Sequence, residues 1–202
     1  KKLLKYRCVC AKIMIVYQTK IQKEIFKMSQ KKIRFAVVGV NGLGKAHIKG
    51  IELNSDIAEL ACVCDIVPEY AKECGERNGV PYYTDFYEMI KVGGFDCVIL
   101  VTPDYVHREH AVAACEAGYH VLCEKPLAQT MEDCQAMADA AKKSGVKFMT
   151  GQVCRKAPGF VKAKELVVAG EIGELFFVES EYAHDYQFLT PEWRKDPVNL
   201  RY

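Results

Sequence analysis

Residues Ile33 to His47 constrain the fold of this chain more than any other stretch. Five of the first six residues are apolar, three glycines (Gly39, Gly42 and Gly44) follow within six positions, and a helix-like pattern then resumes. A buried strand, a tight turn and a helix start read this way. A glycine-rich turn lets a phosphate approach backbone N–H groups that a Cβ would screen, and the helix behind it turns its positive end toward that phosphate. The dinucleotide fingerprint G-x-G-x-x-G falls on Gly39-Val40-Asn41-Gly42-Leu43-Gly44, with Asn41 in place of the middle glycine. Asn is the next residue most tolerant of positive φ. The acid expected about 20 residues on is Asp65, which closes the apolar run Leu60 to Cys64. Together these features point to nucleotide binding. The competing reading is a tight strand–helix turn that holds no ligand.

The rest of the chain alternates strands with helices. The pattern predicts a helix over 43–53, a strand from Ala58 to Asp65 and a helix from Pro68 to Asn78. Tyr82-Tyr83 reads as a short strand, and Asp85 with Glu88 as a cap for a helix ending near Gly93. Cys97 to Val101 is an apolar run suited to a strand buried on both faces. A helix over 107–117 stopping at Gly118, a strand His120–Cys123, a helix over 131–143 ending at Gly145 and a strand from Phe148 to Gln152 complete the series. The expected fold class is α/β, a doubly wound parallel sheet with helices on both faces. Beyond Gln152 the pattern predicts a helix over 159–169 and a strand from Leu175 to Glu181 with one solvated side, the start of an α/β domain with an open sheet. On that strand Glu179 and Glu181 share a face, which a solvated edge explains as well as an acid/base pair would. The expected organisation is 1–31, a disordered basic extension; 32–152, the nucleotide-binding domain; and 153–202, an incomplete second domain.

Charge separates the first segment from the rest. Residues 1–27 hold eight of the 28 Lys and Arg but one of the 26 acids, so the remainder is acidic by five. Nucleic acid is therefore not an expected partner. The run Cys8 to Tyr17 is interrupted by Lys12 and too short to span a bilayer. Met28-Ser29-Gln30-Lys31-Lys32 directly precedes the first strand, and translation is expected to start at Met28. Ten cysteines occur without a C-x-x-C pair, most of them in apolar runs such as Cys62, Cys64, Cys97 and Cys123. They read as small buried hydrophobes of a reduced, cytoplasmic protein, with no metal site.

Glu124-Lys125-Pro126-Leu127, the segment Thr102 to His107, the glycine turn and Trp193-Arg194-Lys195-Asp196-Pro197 together resemble the Gfo/Idh/MocA oxidoreductases, from about Lys32 to Tyr202. The resemblance implies a Rossmann domain followed by an α/β domain, a parent that is a homo-oligomer, bound NAD or NADP, and hydride transfer to or from a sugar, cyclitol or related polyol. It implies that Gly39, Asn41, Gly42, Leu43 and Gly44 face the pyrophosphate and that Asp65 takes the adenosine ribose. Thr102, Pro103 and Asp104 would line the nucleotide channel, with His107, also among the implied cofactor-binding residues, beginning the next helix. Glu124 would sit near the nicotinamide ribose, and Arg155, Trp193 and Arg194 would close over the cofactor. Lys125 is the candidate catalytic residue: a fixed ammonium favours a developing alkoxide and can relay its proton. Outside this context, Lys125 would read as a solvated lysine at a strand end. The resemblance also implies an aspartate and a histidine soon after the W-R-x-D-P segment, beyond Tyr202, so the fragment is expected to be inactive alone. NAD is expected over NADP, because Asp65 is followed by uncharged Ile66, and Lys72 and Arg77 fall inside the next helix, beyond its phosphate-facing turn. A different class of function, an NAD-holding binding or regulatory protein without turnover, stays open. An NAD-using enzyme of another Rossmann family ranks last.

Overall fold

The computed structural model describes residues 31–181 and 183. Within them, six strands and six α-helices alternate. The expectations on residues 1–27, Met28, Trp193 and Arg194 lie outside the described residues. The described residues divide into two compact units, parting between Val101 and Thr102.

The first unit runs β1 (Ile33–Val38), α1 (Leu43–Leu53), β2 (Ala58–Cys64), α2 (Pro68–Asn78), β3 (Tyr82–Tyr83), α3 (Phe86–Val92) and β4 (Cys97–Leu100). Its strands lie in the order β3-β2-β1-β4, all parallel. Val37 faces Val63 on one side and Ile99 on the other, and Val38 faces Cys64 and Leu100. All six are buried, which explains why β1 and β4 read as continuous apolar runs rather than alternating ones. The chain winds outward from β1 through β2 to β3, then returns to place β4 on the other side of β1. That reversal is a topological switch point, and the crevice beyond the carboxyl ends of such strands is where ligands bind in open α/β sheets.

Each helix carries its own punctuation. Asp85 accepts a hydrogen bond from the Glu88 N–H at 2.9 Å and so caps α3, an arrangement worth about 1 kcal/mol. Gly79 ends α2 in the left-handed conformation. Within α1, Gly44 is a packing requirement: a Cβ there would lie 2.0 Å from the Gly39 carbonyl oxygen. The helix therefore starts in direct contact with the turn that precedes it.

The second unit holds a 3-10 turn (Asp104–Val106), α4 (His107–Glu116), β5 (His120–Cys123), α5 (Met131–Ser144), β6 (Phe148–Thr150), a second 3-10 turn (Val153–Lys156) and α6 (Pro158–Val168). β5 and β6 pair in parallel. α4 and α5 pack together, and the small residues Ala111, Ala114, Ala140 and Ala141 are buried in them. Thr130 caps α5 by accepting from the Asp133 N–H, and Gly145 ends it. No residue of α6 is buried. The strand expected over Leu175 to Glu181 is not formed: the segment is irregular, and Phe176 is 102 % exposed. A strand needs neighbours for its N–H and C=O groups. Alternation alone does not supply them, and among the described residues none pairs with this segment.

None of the eight described cysteines is in a disulfide, and six are buried. Burial pushes the thiols up from an ordinary 9.0, Cys62 and Cys115 to about 11 and Cys64 and Cys123 to about 12. Among the described residues no helix is long and apolar enough to cross a membrane, and no three His, Cys, Asp or Glu side chains cluster as a metal site would require.

Two pairs of outcomes are expected. Gly44→Ala lowers the unfolding free energy by about 1–3 kcal/mol through overpacking. Gly50→Ala, on the same helix with open space around its Cβ, raises it by about 0.5–1 kcal/mol. Urea unfolding of the two variants checks the pair; equal effects would contradict the close contact at Gly44. Brief alkylation of the native chain labels exposed Cys154 and spares Cys62, Cys64, Cys115 and Cys123, read by mass spectrometry. Stability then falls as pH rises from 9 toward 12, because unfolded thiols ionise near 9 while folded ones keep their protons. Labelling of Cys64 or Cys123 as fast as Cys154 would contradict their burial.

Candidate dinucleotide-binding site

The glycine turn is built by the end of β1. Gly39 has φ 84° and donates its N–H to the Cys64 carbonyl at 2.8 Å, locking the start of the turn to the end of β2. Gly42 follows with φ 50° and nothing within 4 Å of where a Cβ would stand. Asn41 does not use the conformational tolerance expected of it, since positive φ is confined to glycines among the described residues. Its side-chain Oδ1 instead accepts from the Gly42 N–H at 2.9 Å. Helix α1 has no side-chain cap and no acid in its first turn, whereas α3 and α5 are closed by Asp85 and Thr130. An uncapped helix end beside open space at Gly42 suits an anion. Its N–H groups and dipole fit a pyrophosphate.

Asp65 follows β2 and is 9 % exposed. Its Oδ2 accepts from the Val40 N–H at 2.9 Å and its Oδ1 from the Val67 N–H at 3.0 Å. The carboxylate thus joins the turn after β1 to the turn after β2. Two ionised oxygens offer about four acceptor positions, so two remain for hydroxyl donors. Ile66 beside it is exposed. Arg77 is closer to the turn than its place in the helix suggested. It lines a cavity of about 50 Å³ together with Val40, Asn41, Lys45, Tyr70 and Cys74, and it pairs with Glu73 at 3.7 Å.

In the second unit, Asp104, His107 and Glu124, all singled out in the sequence, are buried polar residues. The Thr102 hydroxyl is buried without a hydrogen-bond partner, and Asp104 is buried at the start of its 3-10 turn. His107 is 1 % exposed. Its Nε2 lies 2.8 Å from the Thr102 carbonyl oxygen, and its Nδ1 lies 3.0 Å and 3.2 Å from those of Pro126 and Leu127. Both ring nitrogens face main-chain carbonyl oxygens. Glu124 is 5 % exposed, and its Oε2 accepts from the Lys125 N–H at 3.1 Å. Lys125 itself is exposed, and its peptide bond to Pro126 is cis. Arg155 is exposed in the second 3-10 turn. Sequence reasoning missed Gly151, where a Cβ would come within 2.7 Å of the Glu124 carboxylate. No local pattern marks it, because the contact joins the ends of two strands.

Residues 33–152 match the Gfo/Idh/MocA family, described as an oxidoreductase family with an NAD-binding Rossmann fold. The chain is 33% identical to scyllo-inositol 2-dehydrogenase (NAD(+)) of Bacillus subtilis over 72% of this chain and 43% of that protein. It is 30% identical to inositol 2-dehydrogenase of Salmonella typhimurium over 80% of this chain and 48% of that protein. Among solved structures, the WlbA dehydrogenase from Bordetella pertussis in complex with NADH and UDP-GlcNAcA superposes with a TM-score of 0.69 at 31% identity, covering 71% of this chain and 44% of that one. The chain spans about half the length of the curated relatives it matches. It belongs to the Gfo/Idh/MocA oxidoreductase family, with the family's NAD-binding Rossmann fold over residues 33–152.

Proposed function

We propose that this chain carries the cofactor-binding half of an NAD-dependent oxidoreductase acting on a CH–OH group of a sugar, cyclitol or related polyol. The observation that carries the reading is the uncapped start of α1 over the open glycine turn, with Asp65 braced beside it. The names of the relatives support the substrate class, as does the nucleotide sugar in the WlbA complex.

In this reading, the turn from Gly39 to Gly44, with Asn41, Gly42 and Leu43, holds the pyrophosphate, and the two remaining acceptor positions of Asp65 take the adenosine ribose hydroxyls. Thr102, Pro103 and Asp104 line the nucleotide channel, where the unpartnered Thr102 hydroxyl has a hydrogen bond to give. Glu124 serves the nicotinamide ribose, and Arg155, Trp193 and Arg194 close over the cofactor. A bound nicotinamide supplies the hydride acceptor or donor. Lys125 handles the proton. Its exposed ammonium stabilises a developing alkoxide and relays the proton to or from solvent, help of a kind worth roughly 10²- to 10⁴-fold in rate. Residues 153–202 begin the second, substrate-bearing domain, and the whole protein is a cytoplasmic homo-oligomer.

NAD is expected to bind roughly 10- to 100-fold more tightly than NADP. A carboxylate accepting from the ribose 2′-hydroxyl contributes about 1.5–3 kcal/mol, at 1.4 kcal/mol per factor of ten. The same charge repels a 2′-phosphate. Titration of the 202-residue chain with each oxidised cofactor tests this, and equal or tighter binding of NADP would overturn the assignment of Asp65. Asp65→Ser with Ile66→Arg should move the preference toward NADP, with the unfolding midpoint followed in parallel because Asp65 also braces two turns.

A further inference from the structure

His107 opens α4 and is among the largest fully buried side chains of the chain. A buried imidazole needs partners for both ring nitrogens, and this one finds them on two segments distant in sequence. Nε2 meets the Thr102 carbonyl five residues upstream, and Nδ1 meets the Pro126 and Leu127 carbonyls 19 and 20 residues downstream. A carbonyl oxygen only accepts, so a contact is a hydrogen bond where the ring nitrogen carries the proton, and a neutral imidazole carries one. The imidazole lies between the turn that opens α4 and the segment that follows β5, and with the proton on Nδ1 it donates to that segment.

Lys125 sits in that segment, immediately before Pro126. On its other flank, its own N–H is held by Glu124 Oε2 at 3.1 Å. The Glu124 carboxylate is buried against the Gly151 backbone, with no room for a Cβ between them. The main chain of Lys125 is thus fixed on both sides while its side chain reaches solvent. Long lysine side chains lose their geometry unless the backbone that carries them is held, and a misplacement of about 1 Å costs roughly 10²-fold in rate.

We propose that His107 is the positioning residue for Lys125: through Nδ1 it holds the carbonyls that follow Lys125, while Glu124 holds the Lys125 amide. This rests on the reading of Lys125 as the group that handles the proton. It assigns His107 no contact with substrate or cofactor.

The test uses the full 202-residue chain with its lysines ¹³C-dimethylated, the Lys125 signal being identified by its loss in Lys125→Arg. His107→Asn keeps a donor where Nδ1 stood, His107→Gln keeps one where Nε2 stood, and His107→Leu keeps neither. The Lys125 methyl signal and the amides of Lys125 and Leu127 should stay at their wild-type positions in the Asn variant and move in the Gln and Leu variants. An unmoved Lys125 signal in the Leu variant, or equal displacement in Asn and Gln, would overturn the proposal. Should these variants fail to fold, ¹⁵N spectra of the wild-type imidazole decide it. A protonated Nδ1 coupled to the Pro126 or Leu127 carbonyl is expected, and a bare Nδ1 would refute it. These readouts need no turnover, so an NAD titration of the same wild-type sample separately reports whether the oxidoreductase reading stands.

Discussion

The Asp65 carboxylate is the interaction on which the rest of the site depends. Its two oxygens hold the N–H groups of Val40 and Val67, and so it joins the turns that follow β1 and β2 at one buried point. Hydrogen bonds to a charged acceptor contribute about 1.5–3 kcal/mol each, and losing the acceptor would strand a donor at Val40, which is 2 % exposed. The glycine turn is held from three directions: by this carboxylate, by the Gly39 bond to Cys64, and by α1 pressed against Gly39 at Gly44. A site preorganised in this way loses little order when a ligand arrives. The acid that the fingerprint associates with the ribose is also the brace of the turn, so both roles constrain one side chain.

The second unit repeats the same physical device. His107 and Glu124 are polar, almost completely buried and committed to main-chain partners. Buried polar groups that are fully satisfied specify one arrangement and penalise the alternatives. Here the arrangement they specify is the backbone on either side of exposed Lys125. The apolar core of each unit sets the fold, and these few polar contacts set the positions of the groups that would meet a ligand.

Much of the architecture was legible because its boundaries carry local chemistry. Pro68 and Gly79 bracket α2, Asp85 opens α3, and Gly145 closes α5. The apolar run from Cys97 marks a strand buried on both faces. What was not legible depends on contacts between segments. Leu175 to Glu181 alternates like a strand but has no described partner to pair with. Asn41 has a residue type that tolerates positive φ and acts through its side chain instead. Arg77 lies well along its helix in sequence, yet it lines a cavity beside the turn. The contact at Gly151 and the setting of His107 between two main-chain segments exist only once β5, β6 and α4 are in place. Motif spacing located the candidate site and left open which of its residues touch a ligand and which hold the frame.

The central claim is that the braced glycine turn is a dinucleotide site. Amide NMR of the 202-residue chain with and without NAD measures this residue by residue. The account predicts shifts concentrated at Gly39, Asn41, Gly42, Leu43, Gly44 and Asp65, with slower hydrogen exchange at Gly42 and Leu43. Saturating NAD that leaves these amides unchanged while perturbing others, or that perturbs none at millimolar concentration, would contradict it.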